Sequence, residues 1–274
     1  MQNQVFDSRE RFYTLYYDES NNVRKLSINV AEGTYNVDND KNQVAAANFM
    51  LAGVMHKGTS STADLPALFA NLHLQKSAEE LKFNQVARGT FDRVLKSQQI
   101  RTLLRWVLDS DLYLHYFNLN LEYWSFIDII DDCVLYCLNQ GELTFPDVGS
   151  FRYYLDYHKD ALYRVIRARK AEFLDMAKRH GYPAIEGKEQ VFIEAVKDQV
   201  NQHLTQLLSQ QPSPALNDVN LFKSLAELLD LCASIDDMTL TLGSEENLLI
   251  DGFSVFYQNR AAAFPNSEHI FDEE

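Results

Sequence analysis

Residues 13–22 read YTLYYDESNN. Aromatic and aliphatic side chains run without a break into two adjacent carboxylates, Asp18 and Glu19, and the reading of that junction decides the fold. The residue types predict a strand over 11–19. Its acidic end has two readings. In one, the strand meets water and Asp18, Ser20 and Asn21 are turn formers whose side chains bond the local backbone. In the other it is a metal site, because hard divalent cations take carboxylate oxygens and a core strand holds such an oxygen in place. In a regular strand Asp18 and Glu19 point to opposite faces, so both reach one ion only where the strand bulges or ends between them.

Working outward, VRKLSINV (23–30) follows an Asn21-Asn22 turn and alternates, with Leu26, Ile28 and Val30 on one face and Lys25, Ser27 and Asn29 on the other. This predicts a hairpin. A polar loop, EGTYNVDNDKNQ, precedes NFMLAGVM (48–55), a continuous apolar run as in a strand covered on both faces. The three strands predict an antiparallel meander with Asp18 on a middle strand, and LYLHYFNLNL (112–121) predicts a fourth strand beside it. Helices are predicted over 62–76, 91–109, 123–140, 147–180, 187–210 and 215–233, with breaks at Gly-Tyr-Pro and QQPSP. After Asp236-Asp237 a strand TLTLG, a helix over 246–261 and the closing SEHIFDEE complete the pattern. The organisation is therefore a sheet core over 1–121, a helical insertion over 122–235 and a return to the core over 236–274.

Composition narrows the class. A chain of 274 residues, 46% hydrophobic, can bury one large core or a core with a satellite. No apolar run approaches the roughly eighteen residues of a membrane span, and MQNQVFDSRER lacks the basic and apolar parts of a signal peptide, so the cytoplasm is the expected compartment. Cys133, Cys137 and Cys232 have no zinc-ligand spacing and read as core thiols. With 25 basic against 39 acidic residues the formal charge is −14, which argues against indiscriminate nucleic-acid binding. A nucleic-acid enzyme needs only a local basic track, and acidity also suits a subunit docking on a basic protein partner or a second copy.

The closing HIFDEE repeats YYDES in miniature, an apolar strand that stops in acids. A meander, a helix, a fourth strand and a helical insertion before a late acidic strand is the layout of the α/β, RNase-H-like class, in which a mixed sheet brings carboxylates from different strands to one edge. YYDESNN followed by NFMLAGV resembles the opening of the domain of unknown function 3800 family, in which an Asp-Glu-Ser motif ends the first strand. Glu80-Leu81-Lys82 is similar to that family's Glu-x-Lys element, and SEHIFDEE to its later strand. The resemblance covers both ends of the chain and leaves the middle as a variable insertion.

That resemblance implies a metal-dependent nuclease acting on DNA or RNA, in the bacterial defence or mobile-element setting usual for the family. Residue by residue it implies Asp18, Glu80 and Lys82 as catalytic and Asp18, Glu19, Glu80 and Asp272 as ligands of Mg²⁺ or Mn²⁺, which hard oxygen donors select. Lys82 would stabilise charge on the scissile phosphate or hold Glu80. The family's pattern runs on to a helix with a Gln-x-x-Asp-like motif, which the residues up to Glu274 do not contain. Either the chain continues, or another chain completes the site, or catalysis has been lost.

Each motif also has a plain reading. EELK is ordinary helix-end composition, and HIFDEE reads equally as a solvated tail. Arg164, Arg167 and Lys178 share a narrow arc if 147–180 is one helix and would hold a phosphate backbone, but Asp160 and Asp175 share that arc and would compensate them. His56 follows the third strand near the carboxylates, whereas the other histidines show no ligand or triad spacing. A catalytically silent scaffold, and nucleic-acid binding without cleavage, are the competing functions.

Overall fold

The computed structural model describes residues 11–20, 25–29, 33–38, 48–72, 81–210, 214–240 and 245–271. The protein is α/β. Its strands are β1 (Tyr13–Ser20), β2 (Lys25–Ser27), β3 (Asn48–Lys57), β4 (Tyr113–Asn120), β5 (Leu248–Asp251) and β6 (Glu268–Phe271). Its helices are α1 (Leu65–Asn71), α2 (Phe83–Val86), α3 (Phe91–Lys96), α4 (Gln98–Asp109), α5 (Leu121–Trp124), α6 (Asp128–Gln140), α7 (Val148–Ala168), α8 (Lys170–His180), α9 (Glu189–Leu208), α10 (Leu216–Leu231) and α11 (Ser254–Ala263). Two compact units divide the chain: residues 1–20, 50–118 and 254–274 form one, and 21–49 with 119–253 form the other.

The first unit is built on a four-stranded mixed sheet ordered β4-β3-β1-β6. β1 runs antiparallel to β3, with Asp18 opposite Ala52, and parallel to β6, with Tyr17 opposite Phe271. Asp18 thus sits on a central strand, as the predicted meander had it, but between β3 and β6 and not beside β2. Tyr13, Leu15 and Tyr17 on one face of β1 are buried, and Phe49, Leu51 and Met55 of β3 are buried as well. Helices α1 to α4 enclose a satellite core of Leu68, Leu72, Val86, Ala87 and Ile100, against which Val94, Leu103 and Trp106 pack. α1 starts where Asp64 accepts the Ala67 N–H and a Pro occupies the first turn, where its missing N–H costs nothing.

The predicted meander is corrected. β2 joins neither β1 nor β3; it pairs antiparallel with β5 in a separate two-stranded sheet of the second unit, with a bulge between Leu26 and Ser27. Alternation buried Leu26 and Ile28 as expected, but it reports faces and not partners. The pairing is held by Lys25 against Asp251 at 3.3 Å and by the Ile28 N–H on the Asn247 carbonyl at 2.9 Å. The helix expected over 246–261 correspondingly begins as strand β5, turns at Gly252 (φ 85°) and becomes helical only at Ser254. Residues 239–240 of TLTLG are not strand, and the rest of that segment lies outside the described residues.

Two long predicted helices are broken. The 91–109 stretch parts into α3 and α4 at Ser97, whose extended backbone lets its Oγ accept from Ile100 N and donate to the Val86 carbonyl. The 147–180 stretch parts into α7 and α8 at Arg169 (φ −130°, ψ 40°). Arg169 is buried and its guanidinium donates to Gln199 at 3.1 Å and Gln202 at 2.7 Å on α9, so the backbone yields to the hydrogen bonding that a buried cation requires. In the helical unit Cys133, Cys137 and Cys232 are buried free thiols, with Cys137 and Cys232 sulfurs 3.6 Å apart.

Candidate functional site at the end of the central strand

β1 delivers two carboxylates to two environments. Asp18 is exposed within β1, opposite Ala52, and its Oδ1 accepts the Glu19 N–H at 2.8 Å. Glu19, one residue on, faces the other side and accepts a hydrogen bond from the Tyr257 hydroxyl of α11. The strand does not bring both to one point.

On Glu19's side of β1 lies a cluster of aromatic and titratable groups. Tyr17 stacks on Phe271 (4.6 Å between ring centres) and on His269 (5.7 Å), and meets the His115 ring edge-on at 4.7 Å. His269 Nε2 lies 3.1 Å from the Phe264 carbonyl, which only accepts, so that nitrogen carries the proton and donates. Its Nδ1 is then the bare acceptor that takes the Tyr17 hydroxyl at 2.9 Å. Burial pushes the Tyr17 phenol up to about 12, with the Arg260 charge opposing, so Tyr17 stays protonated and holds that bond.

His115 on β4 reaches further. Its Nε2 lies 2.9 Å from the Tyr16 carbonyl of β1, two strands away in the sheet order. A carbonyl only accepts, so Nε2 donates and Nδ1 is bare; Nδ1 is buried and has no partner among the described residues. Burial first, then the Arg260 charge, holds its pKa below the ordinary 6.5, which keeps the ring neutral. Met55, Leu112, His115, Arg260 and Phe264 line a cleft of about 740 Å³ beside β4. Arg260 lies over the Phe264 ring at 5.0 Å, and its buried Nε has no partner among the described residues. The cluster presents a neutral imidazole and a fixed guanidinium at the wall of a largely apolar cleft.

Of the residues singled out from the sequence, Asp18 and Glu19 stand as described, while Glu80 and Asp272 lie outside the described residues. Lys82 is exposed at the start of α2, its N–H bonded to Gln85 Oε1 at 3.0 Å. His56 lies within β3 opposite Thr14, buried, and not after the strand at its edge. The break at Arg169 removes the single helix on which the Arg164, Arg167 and Lys178 arc depended: Lys178 sits in the last turn of α8 and the arginines on α7. Arg164 is paired with Asp218 at 2.7 Å, and Arg167 with the Tyr163 hydroxyl at 3.3 Å and the buried Glu122 at 3.8 Å. Sequence reasoning missed Tyr17, His115, Tyr257, Arg260 and His269; the available signal was that His115 and His269 each fall on a segment readable as a strand.

A divalent cation needs several oxygen donors, and among the described residues no three His, Cys, Asp or Glu side chains form a group able to hold one. The described residues offer Asp18 to an ion and do not complete a ligand set. Among them no helix is long and apolar enough to cross a membrane. The class defined by these observations is an α/β protein with a four-stranded mixed sheet and an exposed aspartate on its central strand. Comparison with protein-family models, with curated proteins and with solved structures found no match for this chain.

Proposed function

We propose that the protein is a divalent-metal-dependent nuclease of the RNase-H-like class that acts in the cytoplasm as part of a bacterial defence or mobile-element system. One observation supports the reading. β6 runs parallel to β1 in a register that sets Phe271 opposite Tyr17, and the next residue in the sequence after each is an aspartate, Asp18 and Asp272. Two acid-ended strands side by side, one of them central in a mixed sheet, is the layout that the resemblance to the domain of unknown function 3800 family implies. In this reading Asp18, Asp272 and Glu80 are ligands of Mg²⁺ or Mn²⁺, and Lys82 stabilises charge on the phosphate. Glu19 leaves the ligand set, because it is bonded to Tyr257 on the opposite face.

Incubation of the parent and Asp18→Asn with single- and double-stranded DNA and RNA, with Mn²⁺, Mg²⁺ or EDTA, tests it. Cleavage by the parent should need the metal and fall by at least about a hundredfold in the variant, since Asn keeps the shape of Asp but is a poorer hard-cation ligand. Parent protein that cuts none of these substrates, or a variant that cuts as fast, would overturn the reading.

A second reading, a catalytically silent subunit that docks on a protein partner or a second copy, draws on the edge strand β4. Leu108 (83% exposed), Leu114 and Tyr116 (71%) present apolar surface beside that edge.

A further inference from the structure

The chain is strongly acidic, yet its positive charge is not evenly spread. From Lys82 to Asp109 the sequence holds Lys82, Arg88, Arg93, Lys96, Arg101 and Arg105 against Asp92 and Asp109, six cations to two anions in a chain of net charge −14. This stretch is α2, α3 and α4 with their connections, and all six cations are exposed. Among the described residues Arg93, Lys96, Arg101 and Arg105 have no carboxylate partner, unlike Arg164 and Arg179 of the helical unit, which are paired at 2.7 Å and 3.1 Å.

The arginines line concave surface. Arg101 and Arg105 are one turn apart on α4, about 6 Å along its axis, and flank a hollow of about 780 Å³ together with Gln98 and Trp106. Arg88 and Arg93 line a second hollow of about 410 Å³ with Gln99. Gln98 and Gln99 are successive residues of α4, about 100° apart around its axis, so the two hollows lie on neighbouring sectors of that helix. Two large rings stand out on the same helices: Phe83 is 60% exposed and Phe91 75%. Exposed phenyl rings are costly in water, whereas beside arginines they offer planes on which unpaired bases stack. The satellite core of Leu68, Leu72, Val86, Ala87 and Ile100, with Val94 of α3 packed against it, is shared by the three helices.

We propose that this α2–α4 face binds single-stranded nucleic acid, with Arg93, Arg101 and Arg105 on phosphates and Phe83 and Phe91 stacked on bases. It names the face that holds the substrate of the nuclease proposed above and rests on that reading for its purpose, though binding itself requires no metal. Guanidinium forks suit phosphate oxygens, and the stacking planes favour a single strand over a duplex whose bases are occupied.

The test is fluorescence anisotropy in EDTA with labelled oligo-dT, oligo-U and a duplex of the same length. The parent should bind both single strands more tightly than the duplex. Arg101→Glu with Arg105→Glu should weaken binding by at least tenfold and flatten the log–log salt slope by about 1.4, two phosphate contacts at roughly 0.7 each. Phe83→Ala with Phe91→Ala should cost on the order of 30-fold or more for single strands, two stacked bases at about 1–3 kcal/mol each, and leave duplex binding unchanged. Arg152→Glu with Lys223→Glu, the same change of charge on exposed positions of α7 and α10, should leave binding intact. Circular dichroism confirms folding, and Arg101→Gln with Arg105→Gln carries the test if the glutamates disturb it. No binding by the parent, unchanged binding by the arginine variants, or equal loss in the charge control would each overturn the proposal. So would salt-sensitive self-association abolished by the same arginine variants without any nucleic-acid binding, which would give the face to a second copy. Binding that obeys all these expectations while metal never elicits cleavage would sink the nuclease reading and leave this one standing.

Discussion

His115 donates its Nε2–H to the Tyr16 carbonyl, 2.9 Å away across the intervening strand β3, and Gly53 is the residue that lets it pass. A Cβ on Gly53 would lie 1.9 Å from that carbonyl oxygen and 3.3 Å from His115 Nε2. The β1–β3 register runs from Leu15 opposite Met55 to Asp18 opposite Ala52, and between them Tyr16 and Tyr17 are paired only on the other side, with Ile270 and Phe271 of β6. The side chain of β4 thus reaches a backbone carbonyl at a gap in the β1–β3 pairing, two residues before Asp18.

Gly53→Ala should therefore destabilise the protein by on the order of 2–3 kcal/mol, because the clash is with backbone and cannot be relieved by a side-chain rotation. His115→Ala should cost a comparable amount by stranding the Tyr16 carbonyl. Urea unfolding measures both. If Gly53→Ala unfolds at the parent's midpoint, the crossing bond does not exist as described.

Buried histidines set the acid side of the stability profile. Burial lowers the pKa of His115 and of His158, whose nitrogens lie 2.8 Å from the Tyr154 carbonyl and 3.0 Å from Ser224 Oγ. A folded-state pKa below the unfolded 6.5 means that the unfolded chain binds more protons in that window, so stability rises with pH there and is lost as pH falls below 6.5. Melting temperatures at pH 7.5, 6.5 and 5.5 should fall in that order, and less steeply in His158→Gln.

Asp132 should act in the opposite sense. Burial, then the Asp128 and Asp131 charges, raise its carboxyl from 3.8 to about 6 against the pull of the Thr239 hydroxyl. Between those values the folded chain holds a proton that the unfolded chain has released, so this group's contribution falls as pH climbs through the window and stays low above it. Asp132→Asn should raise the melting temperature by a few degrees at pH 7.5 and by much less at pH 5. An equal shift at both would refute the assignment.

Metal addition separates the two adjacent carboxylates. Under the nuclease reading millimolar Mg²⁺ or Mn²⁺ should raise the melting temperature by mass action on the folded state, and Asp18→Asn should blunt that rise. Glu19→Gln should leave the rise intact and lower the metal-free stability by about 1 kcal/mol, since its partner is Tyr257. Differential scanning fluorimetry decides between them.

Arg164→Ala should leave nucleic-acid affinity unchanged and cost no more than about 1 kcal/mol of stability. Its guanidinium already serves Asp218, with both side chains partly exposed, and lies 5.2 Å from the Phe222 ring. Anisotropy and urea unfolding on the same variant check the two halves.

The sequence by itself determined the pieces that depend on near neighbours. YTLYYDES read as a strand because aromatic residues suit a pleated surface, NFMLAGVM because an apolar run of that length suits a strand, though Met50 is exposed and the strand is not covered on both faces, and HIF by the same pattern at the far end. It also told that Asp18 and Glu19 face opposite sides. Tertiary structure alone decided what those pieces meet. Leu26 and Ile28 advertise a buried face equally well to β1 or to β5, and residues more than two hundred positions downstream claimed it. No Gly or Pro marks the break at Arg169, because its cause is a pair of glutamines on another helix. His115, Arg260 and His269 converge on Tyr17 only because β4, α11 and β6 are folded into one compact unit with β1. Periodicity records which way a side chain points, whereas a site records which distant segments share the space it points into.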